Sequence, residues 1–372
     1  MLRSEQPIEA LRASLIAAHP ALGKIRDAAE QPVYLVGGAV RDLLLQCPSV
    51  DLDLLVDGDA GALAERLGGS MADHDRFGTA KVLVDGVEVD LTSARTESYP
   101  EPGALPEVVL GASLGEDLGR RDFTINAMAV PLAGEPQLID PYGGRADLDA
   151  GLLRVLHAGS FLDDPTRALR AARYGARFGF ALEAETERLL RKTDLGTISE
   201  DRLCSELQRL AAAEEGPRGL GLLGGWGLLD LRPGGVELAE RALVILAAPL
   251  WQGAALREEV VLAAAVDPPG KEAELAAARP QRPSEAASIA AGRPAVELVL
   301  ARAMGAEWLD PYRSQWSAVR LEIDGGDLRA AGIPEGPEIG RALEATLRAK
   351  RDGEVTGSEA ELAMALELAR RP

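Results

Sequence analysis

Asp51 and Asp53 stand two residues apart in a segment, 50–56, where carboxylates alternate with Leu and Val. A period of two is the strand period, so both side chains emerge on one face, near enough to share a divalent cation. Carboxylate oxygens are hard ligands that suit magnesium. Such a pair, joined by a third carboxylate, can hold one or two ions that activate an attacking hydroxyl and neutralise a triphosphate during nucleotidyl transfer. Asp90 is the candidate third. Asp85-Gly86 is a two-residue hairpin signal between the apolar runs 80–84 and 87–92, and the folded-back run carries Asp90 beside the first strand.

Two further clusters have chemistry to offer. Gly37 and Gly38 break an apolar run just before Ala39-Val40-Arg41-Asp42. Bare amides at a helix start can receive phosphate, with Arg41 one turn in to pair with it. No Lys-Ser or Lys-Thr follows at P-loop spacing. Arg120-Arg121-Asp122 sets a basic pair, able to meet phosphate, beside a carboxylate able to accept from sugar hydroxyls. Asp163-Asp164-Pro165-Thr166-Arg167 then opens a helix carrying Arg167, Arg170, Arg173 and Arg177, with no acid between the first and the last. At helical spacing these four fall inside a wedge of about 120°. Stacked like charges repel by roughly a few tenths of a kcal/mol per close pair unless an anion receives them, which a triphosphate or an RNA backbone would do. The plainer alternatives are a solvated face balanced by Glu183 and Glu185, and an Asp164 that only caps the helix ahead of Pro165.

The elements that must position these residues are legible in outline. An N-terminal helical lead covers 8–29, an apolar run at 32–36 reads as a buried strand, and 39–45 regains helical character. With the strand at 50–56 and the hairpin, this makes a mixed α/β unit running to about residue 145. Residues 148–214 read as helical throughout, with Pro165 and Ser199 at helix starts. The remainder, rich in Ala, Leu and Gly, reads as more helices, with 267–285 as a flexible connector.

Composition bounds the partners. With 372 residues the chain has length for two or three domains. Forty Lys and Arg against 59 Asp and Glu leave a net charge of −19, so a nucleic acid must be met by a local basic face. Cys47, Cys204, His19, His74 and His157 make no metal-ligand spacing, which argues against zinc, and two cysteines make no disulfide framework. Apolar stretches such as 242–251 are too short to span a bilayer, and no leader pattern opens the chain, so a cytoplasmic protein without membrane contact is expected.

The segments "LVGGAVRDLLL", "DLDLLV" and "RRDFTINAMA", in this order, resemble the class II CCA-adding tRNA nucleotidyltransferase and bacterial poly(A) polymerase family, over about residues 34–210. The resemblance implies an α+β fold: a polymerase-beta-type palm with a mixed sheet, followed by an all-helical neck, body and tail. Its expected divisions are a helical lead at 1–30, a palm at 31–147, a neck at 148–214 and a tRNA-binding body and tail at 215–372. It implies magnesium at Asp51 and Asp53, triphosphate contacts from Gly37, Gly38 and Arg41, Arg121 near the nucleotide and Asp122 near the ribose. Asp164 and Arg167 match the family's base-selecting pair. A carboxylate accepts from the exocyclic amine that C and A both carry, and a guanidinium donates to their ring nitrogen. Arg170 and Arg173 would line the same nucleotide site. The family's usual glutamate before the aspartate is here Asp163, one methylene shorter. Segments 140–144 and "ISEDRLCSELQRL" are similar to the family's palm-to-neck junction and neck closure.

The function so implied is addition of CCA to the tRNA 3′ end from CTP and ATP. CC-only or A-only addition is the alternative. Poly(A) synthesis is disfavoured by "HDRFGTAKVLV", which lacks a basic "GRRF"-like segment. A non-catalytic RNA-binding protein of this fold would be expected to have lost a metal carboxylate or the basic clamp. A small-molecule nucleotidyltransferase would not need the base-reading pair. The long segment 95–116 reads as a loop with room for the flexible element linked to the switch from C to A addition.

Overall fold

The protein is described by a computed structural model covering residues 7–47, 52–68, 70–71 and 78–371. Asp51 and His74 lie outside these residues. Two helices lead in, α1 (Ile8–Ala18) and α2 (Pro20–Ala28). The expected single lead is split at His19-Pro20, because proline has no N–H to continue the helix but is preorganised to start the next.

The short strand β1 (Val33–Val36) runs straight into α3 (Gly38–Leu44). Next come β2 (Asp53–Val56), α4 (Ala60–Arg66), β3 (Ser70–Met71), β4 (Thr79–Val84) and β5 (Val87–Ser93). β6 (Arg95–Ser98) and β7 (Glu107–Leu110) precede α5 (Leu114–Gly119) and β8 (Ala129–Pro131). Six strands form one sheet in the order β3-β4-β5-β2-β1-β8, in which only β2 and β5 are parallel.

Both faces of β1 and β2 are covered. Val33, Leu35, Leu54 and Val56 join the main core, while Val36 and Leu55 face a second cluster with Ala94, Leu118, Ala127 and Ala129. That double burial is why these strands read as near-continuous apolar runs. β4 and β5 join at Asp85-Gly86, where both residues have positive φ, 54° and 79°, as the tight hairpin turn requires. The segment expected as a loop at 95–116 is instead largely built: β6 and β7 pair antiparallel from Arg95↔Leu110 to Ser98↔Glu107, and a Ser113–Glu116 capping box starts α5.

After the sheet come α6 (Gly144–Ala150), β9 (Leu152–Leu153), α7 (Ser160–Asp163), α8 (Thr166–Phe178), β10 (Ala181–Leu182), α9 (Ala184–Leu190) and α10 (Glu200–Ala212). Helix is not continuous here as expected. β9 and β10 pair in parallel over two residues each, too short to leave a periodic signature. Pro165 caps α8, and Gly179 ends it in the left-handed conformation.

By contacts the described residues form two compact units, Met1–Glu215 with Leu222–Leu229, and Gly216–Gly221 with Asp230–Pro372. The second unit is helical among its described residues. Helices Gly235–Ala247, Arg257–Ala265 and Ala295–Ala303 pack together, and Pro337–Arg351 with Ser358–Arg370 close on Ile323, Leu328 and Ile333. The connector expected at 267–285 contains a helix, Glu272–Ala277. It is anchored by buried Leu275 and by an ion pair of buried Glu272 with Arg232 at 2.7 Å. Among the described residues no helix is long and apolar enough to cross a membrane.

One close approach fixes the segment that carries the site residues after α5. Asp140 accepts from the Gly144 and Arg145 amides at the start of α6. A Cβ at Gly144 would lie 2.2 Å from the Thr124 carbonyl oxygen, a backbone atom that cannot step aside. Gly144→Ala should therefore destabilise the fold by about 1–3 kcal/mol through overpacking, read as a lower urea midpoint. An unchanged midpoint would contradict this packing.

Candidate active site

β2 and β5 bring Asp53 and Asp90 into direct register as Cα partners, so the two carboxylates project from the same face of the sheet. The Asp90 Oδ1 is buried without a hydrogen bond, and the nearest cation is the Lys81 Nζ at 3.4 Å. Lys81 sits opposite Asp90 on β4 and also binds Glu88 at 2.6 Å. Two hard oxygen donors side by side, one of them short of a partner, suit a hard divalent ion. The expected trio is not assembled among the described residues, where no group of three or more His, Cys, Asp or Glu could hold a metal. Asp51 lies outside them.

The glycine turn is tightly specified. Gly37 has φ 64° and ψ −127°, a conformation open essentially to glycine alone, and a Cβ there would meet the Arg121 Nη1 at 2.7 Å. Arg41, expected to pair with phosphate, lines the cleft and is itself engaged by protein groups. It is buried, with Nε donating to Asp42 Oδ1 at 2.8 Å and Nη1 to Asn126 Oδ1 at 2.7 Å. Its guanidinium carbon lies 5.0 Å from the Tyr174 ring centre and 4.8 Å from that of Phe178. Cation–π contact and two hydrogen-bonded oxygens hold it in one pose.

Asp117, fully buried at the end of α5, orders the arginine pair. Its Oδ1 accepts from Arg120 at 2.7 Å and its Oδ2 from Arg121 at 2.9 Å. Arg120 also binds Glu97 at 2.7 Å, which accepts from Arg95 and from the Tyr99 hydroxyl. Burial and the neighbouring Glu97 carboxylate push the Tyr99 phenol up to about 12, so it stays protonated as that donor. The carboxylate of Asp122 accepts from the Phe123 amide at 2.8 Å and from Asn126 Nδ2 at 2.9 Å, with Arg170 at 3.5 Å. Burial alone would raise its pKa, but Arg170 and these two hydrogen bonds, helped by Arg167, hold it below the ordinary aspartate range.

The arginines of α8 do not await an external anion as a group. Arg170 donates to Asp164 Oδ2 at 2.7 Å besides pairing with Asp122, and Arg177 reaches Asp42 Oδ2 at 3.2 Å. Arg167 is buried and donates to the Ser160 hydroxyl and, at 2.9 Å, to the Arg120 carbonyl oxygen. The balancing carboxylates come from α3, the segment after α5 and the turn before α8, rather than from Glu183 and Glu185. Neither Arg167 nor Arg173 has an ion pair among the described residues; the Arg173 guanidinium lies 5.5 Å from the Tyr174 ring centre. Asp164 does take a capping role, its Oδ1 accepting from the Thr166 amide at 3.2 Å and hydroxyl at 2.7 Å.

These groups meet in one cleft of about 960 Å³, a volume suited to a small ligand such as a nucleotide. Gly37, Gly38, Arg41, Asp53, Arg121, Asp122, Asp164, Arg167, Arg170 and Arg173 all line it; Asp90 does not. Eight arginines against seven carboxylates on its walls leave a slight positive balance inside a strongly acidic chain, which favours an anionic ligand here over the rest of the surface. Sequence reasoning missed Asp42, Glu97, Asp117 and Asn126. Asn126 and Asp42 sit inside the motifs already quoted and could have been flagged by that; Glu97 and Asp117 carry no spacing signal.

Comparison with known proteins places the chain. The poly A polymerase head domain matches residues 33–154. The chain is similar to the CC-adding tRNA nucleotidyltransferase of Deinococcus radiodurans, 34% identical over 353 residues, covering 90% of this chain and 89% of that one. It is 43% identical over 202 residues to the A-adding tRNA nucleotidyltransferase of Halalkalibacterium halodurans, covering 51% of this chain and 47% of the relative. The chain thus spans about half the length of that relative, and no more of other A-adding relatives. Among solved structures, an apo form of a CCA-adding enzyme superposes with a TM-score of 0.82 at 28% identity, over 97% of this chain and 99% of that one.

The low pKa of Asp122 has a signed consequence. A carboxyl depressed in the folded state adds stability above its unfolded pKa, about 3.9, and that contribution is lost as pH falls through the folded value. Urea midpoints measured from about pH 6 down to 3 should therefore fall more steeply for the wild type than for Asp122→Asn. Parallel curves would contradict the pairing with Arg170.

Proposed function

The chain belongs to the class II CCA-adding tRNA nucleotidyltransferase and bacterial poly(A) polymerase family, and from that premise we propose that it adds CCA to the tRNA 3′ end from CTP and ATP without a nucleic-acid template. The observation that carries this reading is the single cleft that gathers a sheet carboxylate, a glycine turn, Arg121, Asp122, Asp164 and Arg167 within one nucleotide-sized space. Members of the family generally use a divalent metal. We take the ion to be magnesium, held by Asp51 and Asp53 with Asp90 adjacent. When bound it would supply neutralisation of the triphosphate and activation of the primer hydroxyl.

The chain's own residues then divide the work. The Gly37-Gly38 backbone leaves room for phosphate where a side chain would collide with Arg121, and Arg121, fixed by Asp117, faces that turn. Asp122 accepts from the ribose hydroxyls. Arg173, without an ion pair among the described residues, is the cation most available to the departing pyrophosphate. Asp164 and Arg167 read the Watson–Crick edge: the carboxylate accepts from the exocyclic amine of C or A, and G and U present the wrong pattern there. The helical second unit grips the acceptor arm of the tRNA, and the cytoplasm is the place of this work.

A second reading is addition of CC alone or of A alone. It is favoured by relatives of both split kinds, the CC-adding one matched over nearly its whole length and the A-adding one at the higher identity over its shorter stretch. This reading leaves the chemistry of the cleft unchanged.

Two substitutions test the assignment. Asp53→Ala should reduce nucleotide incorporation by about a thousandfold or more while tRNA affinity in a gel-shift titration stays close to wild type. Retained turnover would remove Asp53 from the chemistry. Asp164→Ala combined with Arg167→Ala should blur the preference for CTP and ATP over UTP and GTP in single-nucleotide extension; an unchanged preference would refute the base-reading pair.

A further inference from the structure

The carboxylate of Asp164 is not evenly occupied. Oδ1 receives three donors: the Thr166 amide at 3.2 Å, the Thr166 hydroxyl at 2.7 Å and Arg202 Nη2 at 3.2 Å. Oδ2 receives Arg170 Nη2 at 2.7 Å and no other hydrogen bond among the described residues. A carboxylate oxygen has lone pairs for about two donors, so Oδ1 is full and Oδ2 keeps room for one more. The position from which a base amine can be accepted is therefore that of Oδ2, and the plane of the carboxylate must be held if that acceptor is to stay in place.

Arg202 is the donor that comes from furthest along the chain to hold that plane. It projects from α10, and its other terminal nitrogen, Nη1, donates to the Gly103 carbonyl at 2.7 Å. Gly103 belongs to the connection between β6 and β7 and has φ 73°; a Cβ there would lie 2.5 Å from the Thr197 carbonyl oxygen. The tip of this connection is thus seated directly on the backbone just ahead of α10. A single guanidinium spans the seated tip and the carboxylate, a task that the planar two-pronged head of arginine performs and the single ammonium of lysine does not.

We propose that Arg202 is a specificity-setting positioning residue: by bridging Gly103 and Asp164 it holds the Asp164 carboxylate with Oδ2 turned to the incoming base. This inference rests on the base-reading role given to Asp164 above. Arg202 is not among the residues that line the cleft, so its loss should alter which base is accepted and leave triphosphate binding alone.

The test compares wild type, Arg202→Ala, Arg202→Lys and Asp164→Ala in the full chain. The measured quantities are kcat/KM for CTP, ATP, UTP and GTP on tRNA transcripts ending before CCA and after CC, the inhibition constant of inorganic triphosphate, and the thermal midpoint. Discrimination against UTP and GTP should fall about tenfold in both Arg202 variants, as for the loss of one well-formed base contact, with inhibition by triphosphate within about twofold of wild type. Lysine keeps the charge and cannot make both bonds, so it carries the test if the alanine variant folds poorly. Full discrimination in the Arg202 variants, with discrimination lost in Asp164→Ala, overturns this inference and leaves the base-reading role standing. Full discrimination in Asp164→Ala overturns both. Equal loss of triphosphate inhibition and of discrimination would assign Arg202 a merely structural part and overturn the proposal.

Discussion

The constraint on which the cleft depends is that two buried aspartates cannot be left without the arginine they share. Arg170 sits between Asp122 and Asp164, and both acids are almost fully buried. Removing one partner of such a set strands a charge in a low-dielectric setting, typically at about 3–5 kcal/mol, so the three must be placed together or not at all. They come from different parts of the fold: Asp122 from the segment after α5, Asp164 from the turn before α8 and Arg170 from α8 itself. The ion set therefore locks the segment after α5 to α8 at the point where the proposed function puts a ribose and a base.

From there the pairing continues in both directions. Asp122 accepts from Asn126, and Asn126 accepts in turn from Arg41, which packs on Tyr174 and Phe178 of α8. On the other side Asp164 passes to Arg202 and then to the Gly103 carbonyl. One unbroken run of hydrogen bonds thus connects the glycine turn to the connection between β6 and β7. Networks of this kind polarise one another and fix a single arrangement when every member is satisfied. It is a physical reason for the phosphate, ribose and base contacts proposed above to be set as a unit.

Much of this was legible from residue types and spacing, and the limits are instructive. β1 and β2 could be read because double burial makes them uninterrupted apolar runs, and Asp85-Gly86 because few other pairs tolerate positive φ twice over. The motif residues Gly37, Gly38, Arg41, Asp53, Arg121, Asp122, Asp164, Arg167, Arg170 and Arg173 reach one cleft because local spacing had already put them on a strand face, a turn and one helical wedge; Asp90 does not line it and Asp51 lies outside the described residues. What spacing could not show was which acid would meet which arginine. Asp42 with Arg177 and Asp122 with Arg170 are contacts between distant segments, so the basic face looked unbalanced when read along one helix. The strand pair β9 and β10 is too short to leave a period, and the β6–β7 pairing was hidden by a Pro- and Gly-containing connection that reads as loop.

The most direct test of the account is an extension assay at single-nucleotide resolution on three tRNA transcripts, ending before CCA, after the first C and after CC, each given CTP, ATP or both. Extension of all three to a complete CCA end, with C and A added in that order, is the predicted result. A chain that stops after CC, or that extends only the CC-ended transcript with ATP, would contradict full CCA addition and establish one of the split activities. Incorporation into none of them would contradict the nucleotidyltransferase reading of the cleft.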